Sequence, residues 1–190
     1  PEPIMPDSLI PVKETEIIEI LDGQESSLLN ELEKSAQKDQ EKGALKRILV
    51  KLINGEKKYA SFSELIPALN INIPLDILTN LENYTLFLYS QEQGQRIGLI
   101  INTTGDIKEN LTGWENTITE NLKPLFLGIE IGAPATQEFQ DNTYQNIAIR
   151  YLNFPDMSLS IDYALVNDKL VIAFSKESMY AAIDALLTTQ

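Results

Sequence analysis

The stretch Leu159-Ser160-Ile161-Asp162-Tyr163-Ala164-Leu165-Val166-Asn167-Asp168-Lys169-Leu170-Val171-Ile172-Ala173-Phe174-Ser175 decides the fold class. Leu159, Ile161, Tyr163 and Leu165 recur at every second residue, and so do Leu170, Ile172 and Phe174. That is the period of a strand with one buried face. Asn167-Asp168 supplies residues suited to a tight reversal. Ser175 then serves as a helix cap, and Met179, Ile183, Leu186 and Leu187 follow at helical spacing. The stretch therefore reads as a β-hairpin followed by an amphipathic helix.

Two earlier stretches have the same order. Lys46–Ile53 alternates as a strand, Asn54-Gly55 is a preferred two-residue hairpin turn, and Glu56–Ala60 returns. Ser61-Phe62-Ser63-Glu64 then forms a capping box. Further on, Tyr84–Ser90 and Arg96–Asn102 make a hairpin turning near Gly94, with a helix from Asp106. In that helix Ile107, Leu111, Trp114, Ile118 and Leu122 recur every three or four residues, on one face.

Outside these units, Thr15–Leu21 reads as a strand and Asp22–Lys42 as a helix ended by Gly43. Ile147, Ile149 and Tyr151 alternate as another strand. Ser61–Leu69, Pro74–Leu81 and the bend Gly128–Pro134 are connectors. The expected fold class is α+β: an antiparallel sheet with amphipathic helices packed on one face, built from repeated hairpin–helix units. Residues 1–13 read as a Pro-rich stalk or linker and 14–190 as a single domain, with a split into 14–125 and 135–190 as the alternative.

Composition narrows the chemistry. The 190 residues include no His and no Cys, and 28 Asp and Glu outweigh 15 Lys and Arg for a net charge of −13. Without imidazole or thiol, Ser-His-Asp and Cys-His catalysis are excluded, as are thiol redox chemistry and the usual zinc, copper and haem sites. The charge divides evenly, −7 in residues 1–95 and −6 in 96–190. No basic stripe offers itself to nucleic acid or to anionic lipid.

The aliphatic run Ile97-Gly98-Leu99-Ile100-Ile101 is strand-length, far short of a membrane span. The sequence opens on Pro1, and Pro1, Pro3, Pro6 and Pro11 favour an extended, semi-rigid spacer. Either a signal or anchor preceding Pro1 has been removed, or the sequence is a fragment cut at a domain edge.

Several candidate sites have plain structural readings. Arg150 and Asp162 would face each other if their strands fold about Asp156, which makes them a candidate structural ion pair; a ligand carboxylate held by Arg150 is the alternative. Ser35-Ala36-Gln37-Lys38 has the S-x-x-K spacing of serine acylases but lies on the polar half of a helix and lacks companion motifs. Asn83, Asn102 and Asn110 begin N-x-S/T sequons placed in a strand or helix, so they read as accidental. Glu14, Glu16, Glu19 and Asp22 cluster on the first strand as edge protection, without the spacing of a calcium loop. No catalytic, cofactor-binding or metal-ligating set is assigned.

The segment Asp162–Ser178, with its hairpin, small residue and Ser-capped helix, resembles the closing part of uncharacterised extracytoplasmic domains in bacterial membrane-anchored proteins. In those domains a membrane helix and linker precede the soluble part, as the Pro-rich start would here. The resemblance covers about the last 50 residues and the stalk, and it implies an anchored, outward-facing domain without implying a mechanism.

The functional expectation is a non-enzymatic extracytoplasmic domain acting through protein contacts, a scaffold tethered by an upstream anchor, with its oligomeric state open. The alternative is a module binding a small molecule or peptide in a pocket lined by Tyr84, Phe87, Tyr89 or Trp114. A carboxylate-driven hydrolase comes third, and it requires two facing Asp or Glu groups in a cleft.

Overall fold

The computed structural model describes residues 2–188; Pro1, the first residue of the expected stalk, lies outside them. In chain order the strands are β1 (Glu14–Leu21), β2 (Leu45–Asn54), β3 (Glu56–Tyr59), β4 (Leu81–Gln91), β5 (Gly94–Thr103), β6 (Gln140–Tyr144), β7 (Ile147–Asn153), β8 (Ser160–Val166) and β9 (Lys169–Ala173). The helices are α1 (Leu28–Ala36), α2 (Phe62–Ala68), α3 (Leu75–Leu78), α4 (Lys108–Trp114), α5 (Ile118–Leu122) and α6 (Lys176–Thr188). The strands form one mixed, mostly antiparallel sheet in the order β1-β2-β4-β5-β9-β8-β7-β6, with β3 paired to β2. The class is α+β. Pairing of β5 with β9 runs the sheet continuously through both halves of the chain.

Local signals explain the elements. The capping box forms at α2, where the Glu64 carboxylate accepts from the Ser61 N–H at 2.9 Å. β2 and β3 reverse about Gly55, which takes φ +81, with Asn54 facing Glu56. Asn167 reaches φ +55 in the β8–β9 turn. The helix expected over Asp22–Lys42 is shorter: a single 3-10 turn at Glu25–Ser27 leads into α1, which ends at Ala36. Beyond Ala36 the sequence has no apolar face to bury, and propensity alone does not hold a short helix in water.

Two expectations need correction. β1 runs parallel to β2, Glu14 facing Lys46 through Leu21 facing Ile53, because α1 carries the chain back across the sheet. Nor do the helices share one face. Leu32, Leu65, Trp114 and Ile118, from α1, α2, α4 and α5, pack in a core with Ile48, Leu86, Leu99 and Ile172. In α6, Met179, Ala182, Ile183 and Leu186 pack in a separate core with Phe87, Ile100, Val171 and Ala173, on the opposite face. The central strands are apolar at both parities, so each face demands cover. The hairpin–helix segments are thus not equivalent repeats.

The N-terminal segment also lies on the α6 side. Ile10 is buried in that second core. The Lys13 N–H donates to the Leu45 carbonyl at 3.0 Å, and the Leu9 N–H donates to Thr85 Oγ1 at 2.9 Å. The proline-rich lead, expected as a spacer, is an arm laid against the sheet.

Candidate functional site

The sheet divides between β2 and β4. These strands pair only from Leu45 facing Tyr89 to Ile48 facing Leu86. Beyond that point β2 pairs with β3, from Lys51 facing Tyr59, while β4 continues with β5 through an irregularity between Leu81 and Tyr84. The diverging ladders leave a cleft of about 810 Å³. Leu49, Tyr59, Phe62, Leu78, Leu81 and Tyr84 line it, and the arm residues Pro3, Ile4 and Pro6 form one wall.

Its aromatic lining is fixed in place. The Phe62 and Tyr84 rings lie 5.6 Å apart at 45°, and the Tyr84 hydroxyl donates to the Ala60 carbonyl at 3.0 Å. Burial pushes the Tyr84 hydroxyl up to about 12, so it stays protonated. Lys58 and Glu64 pair nearby. Glu2 anchors the arm by accepting from Lys51 and Lys57.

Arg47, on β2, does not itself line the cleft but lies behind its lining residue Asp7. It stands two residues before Leu49 on the same strand face and is only 3% exposed. Its Nη2 donates to the Asp7 main-chain carbonyl at 2.9 Å, while its Nε is buried without a hydrogen-bond partner. Burial lowers its pKa, and the charge of Asp7, a cleft residue, opposes that shift.

Arg150 and Asp162 do not meet. β7 and β8 pair with Arg150 facing Tyr163 and Tyr151 facing Asp162, one residue from the register of a fold about Asp156. A one-residue slip moves a side chain to the other face. Arg150 instead donates from Nε and Nη2 to the two Glu115 oxygens at 2.8 and 2.7 Å, and from Nη1 to Asp141 at 3.0 Å. The Tyr163 hydroxyl also donates to Glu115, at 2.5 Å. Hydrogen bonding to Glu115 drives the Arg150 pKa up. Arg150 does line a groove of about 480 Å³ with Glu115, Glu120 and Glu138. Its guanidinium is already spent on carboxylates, so it has little left for a ligand's carboxylate. Glu115 is occupied in turn, which removes it as a free catalytic carboxylate.

The S-x-x-K residues converge on the first-strand acidic cluster. Ser35 Oγ donates to Glu16 at 2.7 Å, Lys38 also pairs with Glu16, and the buried Lys46 lies 3.0 Å from it. The Ser35 proton therefore points at a carboxylate and not at a lysine base. Glu19 lies 3.6 Å from Lys51. β1, which carries the cluster, is an edge strand.

Of the four aromatics expected to line a pocket, Tyr84 does so; Phe87 and Trp114 are core residues, on opposite faces, and Tyr89 is half-buried against the α6 core. Tyr59, Phe62 and Arg47 were missed. The available signal was Lys46-Arg47, two adjacent cations inside a largely apolar strand, which puts one on each face. Among the described residues no three carboxylates converge as a cation site, and no helix is long and apolar enough to cross a membrane. Comparison with protein families, curated proteins and solved structures finds no match for this chain.

Proposed function

We propose that this chain is a non-enzymatic binding domain, held outside a membrane by an upstream anchor, whose ligand occupies the cleft between the arm and the divided sheet. The division of the ladders after Ile48 and Leu86 carries this reading. It creates an aromatic-lined hollow within the size range of ligand sites, walled by a chain segment with few attachments. No hydrogen bond joins residues 3–6 to the sheet, and Ile4 is 94% exposed.

The test is a titration with decanol followed through backbone amide resonances. Shifts confined to residues 3–9, 58–63 and 81–84 are expected. Shifts at the Arg150 groove alone, or none at saturation, overturn the reading.

The outward-facing position is supported by the resemblance over Asp162–Ser178. A reporter active only outside the cytoplasm, fused behind the full-length gene product, is expected to be active. Activity only from a cytoplasmic reporter overturns the tether.

A protein-contact role is the second reading, and the open edge of β1 favours it. Ile17 and Leu21 on that strand are 42% and 51% exposed, and an unpaired strand edge can receive a partner's strand. Loss of partner capture in an Ile17→Lys variant, with decanol binding intact, would move the function there.

A further inference from the structure

In this acid-rich chain the lysines near the cleft have carboxylate partners: Lys51 and Lys57 with Glu2, Lys58 with Glu64. Arg47 differs. Among the described residues no carboxylate lies within ion-pair distance of it, and one main-chain carbonyl is its sole acceptor. The other two arginines of the chain are satisfied. Arg150 holds Glu115 and Asp141, and Arg96 donates to the Ser158 carbonyl at 3.3 Å, the Ser158 hydroxyl at 3.0 Å and the Gln95 carbonyl at 3.1 Å. What sets Arg47 apart is its buried Nε, which has no acceptor; such a donor is costly to leave unpaired, and the planar guanidinium fork matches a carboxylate.

We propose that the cleft binds a ligand with an apolar body and a carboxylate, and that the carboxylate docks on Arg47 by displacing the Asp7 carbonyl. This rests on the cleft reading above. The apolar body would lie along Leu49, Phe62 and Leu81, while the anion sits at the buried end of the arm. The arm is then a strap that ligand entry lifts at residues 3–7, with Ile10 remaining seated in the second core. The carboxylate can belong to a fatty acid or to a peptide C-terminus, and the two are separated by the probes.

The probes are decanoate against decanol, and an acetyl-Leu-Phe-Leu peptide with a free C-terminus against its amide. At least one acid is expected to bind about tenfold or more tightly than its neutral twin, the scale of one charge-assisted, two-pronged contact. The acid that shows the preference identifies the source. The chain has three arginines, so arginine labelled with ¹⁵N gives three Nε–H signals. Arg96→Lys and Arg150→Lys assign the remaining signal to Arg47 without altering the site. Decanoate or the free peptide is expected to shift that signal and leave the other two in place.

Equal binding of acid and neutral twin overturns the carboxylate assignment and leaves the cleft reading standing. An acid preference that shifts the Arg150 or Arg96 signal instead overturns Arg47 as the anchor. Failure of every probe to bind overturns both.

Discussion

The Phe87 ring lies directly over Gly98, its partner across the β4–β5 ladder. A Cβ placed on Gly98 would come within 2.1 Å of Phe87 Cζ and within 2.7 Å of two further ring atoms. Phe87 is fully buried beneath α6, so the ring has no empty space to enter. The missing side chain at Gly98 is what lets an aromatic lie flat between the sheet and the last helix.

Gly98→Ala is therefore expected to destabilise the fold by about 1–3 kcal/mol, the usual cost of overpacking a filled core. Urea unfolding measures it. Phe87→Leu in the same chain should recover part of the loss, since the clash is with the ring. A Gly98→Ala variant as stable as the parent would show that α6 is loosely seated.

Lys46 is almost wholly buried and its charge is met by Glu16. Burial alone would raise the Glu16 pKa, but hydrogen bonds from Lys38, Ser35 and Lys46 outweigh it and hold the carboxylate at about 2. Glu16→Gln strands a buried cation and should cost about 3 kcal/mol at neutral pH. Lys38→Ala, at the exposed side of the same carboxylate, should cost less than about 1 kcal/mol. Because the folded-state pKa is depressed, Glu16 contributes fully above its unfolded value near ~4.3 and loses that contribution as pH falls toward about 2. The gap between parent and Glu16→Gln should narrow over that window. Equal stabilities at pH 7 would refute the pairing.

Much of this architecture is legible in local patterning, and what is missed has physical causes. Hairpins at Asn54-Gly55 and Asn167-Asp168 and the box at Ser61–Glu64 depend on residues next to one another in sequence. The parallel seat of β1 and the placement of α6 do not. Ile97-Gly98-Leu99-Ile100-Ile101 is apolar at both parities, which already says that both faces of β5 are covered, but not by which helix. The cleft arises where β2 exchanges β4 for β3, a long-range choice with no local signature. Arg47 is visible in the sequence as a charge inside a strand, and its lack of a carboxylate partner emerges only when the strands are assembled.

The same limit governs Arg150. A reversal centred on Asp156 would oppose it to Asp162; the observed register opposes it to Tyr163, with Glu115 as its ion partner. A double-mutant cycle separates the two pairings. Coupling between Arg150→Met and Glu115→Gln should exceed about 1 kcal/mol, since the two groups share two charge-assisted bonds. Coupling between Arg150→Met and Asp162→Asn should stay below about 0.5 kcal/mol, because the side chains lie on opposite faces and share no partner. Thermal or urea unfolding of the single and double variants measures both. A larger Asp162 coupling would restore the pairing read from sequence.

Asp162 supplies the last test. It is 3% exposed on the α6 side of β8, and its Oδ1 accepts from the Ser160 hydroxyl. Desolvation raises its pKa to about 7, against the opposing effects of the Ser160 hydrogen bond and the Lys176 charge. An acid with a raised folded-state pKa keeps its proton on folding between its unfolded value near ~3.9 and about 7, while the unfolded chain has released it. Its contribution is thus greatest below the unfolded value and is lost progressively as pH rises to about 7, levelling above. Asn in place of Asp162 removes the charge and keeps an acceptor for Ser160. Asp162→Asn should therefore match the parent near pH 4 and exceed it at pH 8 by a margin on the order of 2–4 kcal/mol. Urea unfolding of both proteins from pH 4 to 8 reads this directly. A difference that does not change with pH would mean that Asp162 is ionised in the fold and has found a counter-charge.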